Sequence, residues 1–473
     1  METLSQWYNG RVRTRIKRLL KLVPKFFSWL NRPFQSHRWL FLGVASVLVI
    51  IAGLIRLWAA PISAGPDVGQ FWGFAKLFEI HGLDFYRYAD GTDKILPVNG
   101  WGYVYPPIWL LITRLSLVFS PHSLATSSLV DISWRVAMKV PVIAADLAIG
   151  GLLMWAIPGA RLKRLALGAL WLFHPTAWYN SAVFGQFDAI AAALLLVSVI
   201  MFMKGRDRYG FVFAALAALT KQHAALPALL MAATVAHQLG WRRVAVDLAI
   251  ALGIVVAISI PFAIGSNLIP YARSVVFPAQ GPAYQSPLVY AFSGSGSILT
   301  YLHDTLGWNT EHFLMYNTPL LIAATLAATA LCYVKRIPVE KAALVGILLF
   351  VGIFYRVNYQ YLVMYIPLAI LCLALAKNWV ERSLQILLVL LPASWVWLFD
   401  VSFWFRYLTP QILKTPPILE RLGLTHYMPD SVFVSISSAL MVLCLAYSIV
   451  VLSRRGRPIE FQLQARLRHQ PAL

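Results

Sequence analysis

Asp67 is the first carboxylate whose setting suggests chemistry. It stands in Gly65-Pro66-Asp67, directly after an apolar run and ahead of Val68 to Ile80, a stretch with Phe71, Phe74, Ala75 and Phe78 on one side. The pattern predicts a helix that Asp67 caps at its N-terminus. A carboxylate held rigidly at the mouth of a membrane cavity is also placed to take a proton from an acceptor hydroxyl. Asp84, in Leu83-Asp84-Phe85-Tyr86, is the backup base if that segment folds back over the same cavity. Further on, Gly100-Trp101-Gly102-Tyr103-Val104-Tyr105-Pro106-Pro107 joins aromatic side chains to a proline turn. Trp101 and Tyr105 suit either a sugar face or the aromatic belt of a membrane protein.

The cations give a second set. Lys221, Gln222 and His223 interrupt a run of Ala and Leu, and a lysine there needs a phosphate, a carboxylate or a path to the surface. Arg356, in Tyr355-Arg356-Val357-Asn358-Tyr359, lies away from the other basic clusters and points to a phosphate ligand; Asn358 accompanies it. Gln186 and Asp188, near Asn180 and following His174-Pro175, bind sugar hydroxyls or simply cap the helix that Asp188 begins. Arg135, Lys139 and Asp146 share one helix face. The two cations are expected to snorkel outward, and Asp146, half-way down its span, to need a structural partner.

These side chains must be held by a membrane protein. Of 473 residues, 59% are hydrophobic and 12% charged, against about a quarter charged in soluble domains. Bilayer-length apolar runs leave no room for a large soluble catalytic domain. The net charge of +21 does not indicate nucleic acid. Its Lys and Arg fall in tufts at Arg11 to Lys25, Arg161 to Arg164, Lys204 to Arg208, Arg242-Arg243, Lys335-Arg336, Lys377 to Arg382 and Arg454 to Arg457. Such tufts mark cytoplasmic loops and attract anionic lipid. Cys332, Cys372 and Cys444 lie in apolar spans, so no disulfide, metal site or cofactor is expected.

Ten spans are predicted, at 39–60, 135–158, 165–182, 189–203, 244–264, 313–334, 339–355, 359–376, 383–403 and 431–452. Alternating them puts every tuft and both termini on the cytoplasmic side. Segment 105–120 is short for a crossing, and 209–239 must enter and return or cross twice as short helices, with its break facing protein or water. Residues 1–38 read as a basic amphipathic segment on the inner surface, 39–452 as the membrane domain and 453–473 as a basic tail. External loops are expected at 61–104, 265–312 and 404–430. No cleavable signal peptide or endoplasmic-reticulum retrieval tail is read, which favours a prokaryotic cytoplasmic membrane over the endoplasmic reticulum.

One external carboxylate with cations near the bilayer surface suits sugar transfer from a polyprenyl phosphate. A departing phosphate needs positive charge rather than a proton, and the acceptor hydroxyl needs a base. The chain resembles the GT-C membrane glycosyltransferases, in particular the dolichyl-phosphate-sugar-dependent glucosyltransferases of N-glycan assembly and their bacterial relatives. The resemblance rests on Asp67 in the first external loop, Trp101 to Pro107, Gly185 to Asp188, Lys221-Gln222 and Val357-Asn358-Tyr359, in order along the chain. Val104 and Asn358-Tyr359 depart from that family's aspartate and His-Glu positions. The resemblance implies an all-α polytopic membrane protein of GT-C fold with about 11–13 transmembrane or partly inserted helices. It further implies a hexosyltransferase moving glucose or mannose, with inversion, from a polyprenyl-phosphate donor to a glycan, lipid or protein acceptor. The competing readings are a transporter or flippase for a lipid-linked or anionic substrate, and a non-catalytic subunit of a membrane complex. A transporter is expected to show paired repeats with matching broken helices; the sequence shows one clearly broken block.

Overall fold

The computed structural model describes residues 31–126, 129–276, 295–310, 313, 315–355, 357–395 and 430–455. Among them, regular structure is helical apart from a two-residue antiparallel ladder, Ala125–Thr126 against Leu129–Val130. The first half runs α1 (Arg38–Ile62), α2 (Pro66–His81), α3 (Pro107–Val118), α4 (Ile132–Ala156), α5 (Arg161–Leu172), α6 (Asp188–Met203), α7 (Asp207–Thr220) and α8 (Ala225–Leu239). The second runs α9 (Trp241–Ala263), α10 (Leu268–Val275), α11 (Ser295–Leu306), α12 (Asn317–Lys335), α13 (Val339–Ile353), α14 (Leu362–Leu375), α15 (Trp379–Trp395) and α16 (Asp430–Ser453).

Among the described residues, α1, α4, α9, α12 and α16 are long and apolar enough to cross a membrane. The protein is an all-helical integral membrane protein. Large apolar side chains on α1 and α9, such as Ile50, Leu54, Val246 and Leu252, are exposed, as lipid-facing helices require. By contrast α13 and α14, of 15 and 14 residues, are buried nearly all round and form the centre of the bundle. At 1.5 Å per residue they reach only about 21–23 Å, short of a ~30 Å hydrocarbon core. Among the described residues only the five longer helices have the length for a crossing by helix alone. The short ones are surrounded by other helices and need no lipid-facing length.

One expected span is wrong in kind. In place of a continuous helix over 165–182, α5 ends at Leu172 and a one-turn helix, Pro175–Trp178, leads into a π-helical turn, Tyr179–Phe184. Pro175 lacks an N–H and holds His174 in an extended conformation, which breaks the helix. The block 209–239 resolves into α7 and α8, joined by a single 3₁₀ turn at Gln222–Ala224.

The basic clusters collect at one end of the bundle. There Lys163 Nζ donates to Ala374 O at 2.6 Å, Arg161 Nη1 to Phe34 O at 2.6 Å and Lys335 Nζ to Ser453 O at 3.2 Å. Glu381 pairs with both Lys341 and Arg454. The opposite end carries the C-terminus of α1, the N-termini of α2, α3, α4 and α6, the π turn and the α7–α8 turn. Residues 1–30, nearly all of loop 404–430 and the tail beyond 455 lie outside the described residues.

Candidate functional site

The site is built at that second end, around the entry to α2. Gly65 is the N-cap residue, Pro66 the first helical residue and Asp67 the second. Asp67 therefore does not cap the helix as expected. It lies in the first turn, where the helix dipole favours negative charge, and its carboxylate accepts from Gln186 Nε2. Burial raises its pKa from 3.8 to about 6. The Gln186 hydrogen bond and the Lys221 charge pull the other way, and Asp188 adds to the rise. The residue as a whole keeps partial exposure.

Backbone contacts fix this turn. Gly65 N donates to Phe184 O at 3.1 Å, and Trp134 Nε1 to Val68 O at 2.7 Å. A Cβ on Gly65 would meet that same Phe184 oxygen at 2.6 Å, so only glycine allows the approach. On the other side Gly185 adopts φ 77°, and the N–H groups of Gly185 and Gln186 both reach Asn180 O at 2.9 Å. The π turn thus ends in the one conformation that carries Gln186 back to Asp67.

Beside this pair, Lys221 Nζ meets Asp188 Oδ1 at 2.5 Å, both side chains being buried. The ammonium also lies 4.3 Å from the ring centre of Tyr361, 4.8 Å from Phe187 and 5.7 Å from Tyr105, an aromatic cage for a cation. Phe187 stacks on Trp109 at 4.4 Å. Of the three partners open to Lys221 in the sequence, the structure supplies a carboxylate. Asp188 Oδ2 and Gln186 Oε1 are buried without a hydrogen-bond partner among the described residues.

The other expected residues divide. Gln222 Nε2 donates to Val104 O at 2.9 Å, tying the α7–α8 turn to the loop ahead of α3. Asn358 Oδ1 accepts from Tyr359 N at 3.0 Å and starts a 3₁₀ turn; Tyr359 packs on Phe184 at 5.0 Å. His223 is buried, stacked on Phe350 at 4.5 Å with Nε2 2.8 Å from Met364 Sδ. Trp101 is exposed, and its carbonyl accepts from Gln70 at 2.6 Å. Arg356 lies outside the described residues. Asp84 lies past the opposite end of α2 from Asp67, a helix of 16 residues and about 24 Å, and is exposed, accepting from Asn267 at 2.7 Å.

Two supports were not read from sequence. Asp146 finds its partner in Arg56 of α1, Nε to Oδ2 at 2.7 Å, with Ser181 Oγ also on Oδ2 at 2.5 Å. An arginine inside a long apolar span was the available signal. Lys139 does not snorkel. Wholly buried, its Nζ shares three N–H donors among the carbonyls of Ala60 at 3.1 Å, Ser63 at 2.6 Å, Ala182 at 2.8 Å and Val183 at 3.0 Å. Helix ends leave such carbonyls unpaired, and here the ends of α1 and of the π turn offer theirs to one ammonium. Arg135 joins in, donating to Pro61 O at 2.6 Å.

No protein-family model matches the chain, and no curated protein matches it significantly. Two crystal structures of ArnT from Cupriavidus metallidurans, one bound to undecaprenyl phosphate and one in the apo state, are similar to it at 18% identity. Each match covers 87% of this chain and 76% of the ArnT chain, with TM-scores of 0.41 and 0.43 respectively.

Proposed function

We propose that the chain is a GT-C-type glycosyltransferase that transfers a hexose from a polyprenyl-phosphate donor to a glycan, lipid or protein acceptor, with Asp67 as general base. The observation that carries this reading is the Asp67 carboxylate. It is fixed at the start of a helix, oriented by Gln186, partly open and poised to ionise near pH 6. A base is most useful when its pKa lies near the working pH.

In the reaction the acceptor oxygen forms a bond to the anomeric carbon as its proton passes to Asp67. The bond from that carbon to the phosphate oxygen breaks, and its electron pair leaves with the polyprenyl phosphate. Attack opposite the leaving group inverts the centre. Asp188 and Lys221 form the polar floor beneath the base, with Phe187 buried behind them, while the partly exposed Tyr105 offers a ring to the sugar. With Lys221 already matched by Asp188, the phosphate falls chiefly to Arg356, the cation that the sequence places at this end. The basic end faces the cytoplasm, which leaves Asp67 and loop 61–104 external and both termini cytoplasmic.

The test offers purified protein a panel of polyprenyl-phosphate sugars with candidate acceptors and follows release of the lipid phosphate. Consumption of one donor by the wild type, with Asp67→Asn near background, supports the reading. Folded wild-type protein that consumes none of the panel, or an Asp67→Asn variant as active as wild type, sinks it.

A further inference from the structure

A cavity of about 640 Å³ opens at the basic end, between α1, α4 and the start of α5, on the side of the bundle away from Asp67. Its long wall is one stripe of α1, running from Arg38 through Phe41 and Ala45 to Val49. That spacing is one helix face, and it extends about 16–18 Å, close to the depth of a single leaflet. Apolar residues line its length, whereas Arg38, Arg161 and Arg164 gather at its mouth; the lining includes no carboxylate.

Two of the arginines are held in place. Arg164 Nε donates to Met154 O at 2.5 Å and its guanidinium stands 4.9 Å above the Phe41 ring. Arg161 Nη1 donates to Phe34 O at 2.6 Å. Each guanidinium has five N–H donors, so these bonds orient the groups and leave further donors for an anion. The floor is smooth at Gly151, where a Cβ would have nothing within 4 Å.

We propose that this groove is a site for one anionic glycerophospholipid of the leaflet that the basic end faces. Its phosphate lies against Arg38, Arg161 and Arg164, and one acyl chain lies along α1. Charge selects this occupant over the chain's own first thirty residues, which bring Arg11, Arg13, Arg15, Lys17, Arg18, Lys21 and Lys25 against the single Glu2. Like charge would oppose their seating on three arginines.

The test is native mass spectrometry of the full chain in detergent, titrated with phosphatidylglycerol or with phosphatidylcholine of the same acyl chains. Retention of one phosphatidylglycerol is expected, with phosphatidylcholine removed at lower activation energy. Arg38→Glu should weaken phosphatidylglycerol about fivefold or more, the effect of a charge near a lipid surface. Gly151→Leu should abolish retention by filling the groove, while Gly151→Ala, which adds one methyl into open space, keeps it. Equal retention of both lipids, or of phosphatidylglycerol by Gly151→Leu, overturns the site. Preferential retention of an added polyisoprenyl phosphate overturns the choice of occupant.

Discussion

Gln186 donates its side-chain amide to the Asp67 carboxylate across 119 positions of sequence. The contact exists because two glycines bring their backbones together, Gly65 by close approach to Phe184 and Gly185 by its positive φ. The Asp67 carboxylate is thus aimed by a residue that α3, α4, α5 and the π turn separate from it in sequence.

Replacing Asp67 by Asn preserves size and removes the proton acceptor. Turnover is expected to fall about 100-fold or more, the scale of general-base catalysis, with donor binding retained. Asp84→Asn, altering an exposed group bonded to Asn267, should leave turnover near normal. Initial rates of both variants check this, and the opposite pattern would transfer the role to Asp84.

A base with a pKa near 6 makes the rate depend on pH. Activity should decline as pH falls through about 6, because the carboxyl is then protonated. Gln186→Leu removes the hydrogen bond that lowers the pKa, so the acidic limb should move upward. The stability effect has a definite sign. A carboxyl raised above its unfolded value favours folding fully below about pH 3.8 and loses that contribution as pH rises through about 6. The kcat/KM profile of wild type and Gln186→Leu decides the matter; coincident limbs would detach the pKa from Gln186.

The Lys221–Asp188 pair is buried, so removal of either partner strands a charge. Lys221→Met alone or Asp188→Leu alone is expected to destabilise by about 3–5 kcal/mol, whereas the double variant should cost much less than the sum. Thermal unfolding of the three variants in one detergent measures the coupling. Additive losses would mean that the pair is not a unit.

The two ends of the bundle should be accessible from opposite sides. Cysteines at exposed Thr92, in the loop after α2, and exposed Arg206, between α6 and α7, should react with an impermeant thiol reagent from opposite faces of the membrane. Labelling from one face would end the proposed orientation.

The helices that face lipid were legible, since α1, α4, α9, α12 and α16 fall within a few residues of the apolar runs. Asp67, Gln186, Asp188 and Lys221 stand out in the sequence as polar groups in an apolar setting, and the structure brings them together in two contacts. The sequence could not reveal that Lys221 and Asp188 satisfy each other, since pairing across 33 positions follows from how α6 and α7 pack. Lys139 was misread for a related reason. Its acceptors are main-chain carbonyls freed by a break and a π turn, and neither feature has a side-chain signature.

The Lys139 ammonium sits among four main-chain oxygens, much as a resident metal ion would. Backbone oxygen is the same in every residue, so this fastening depends little on side-chain identity at positions 60, 182 and 183; at 63 the Ser hydroxyl adds a contact of its own at 3.3 Å. All four residues are buried, so their side chains answer to packing, whereas the oxygens that hold the lysine belong to the main chain and survive any substitution that packs. Conservative changes there should therefore leave the end of α1 and the π turn joined, and with them Gly65 and Gln186 on either side of Asp67.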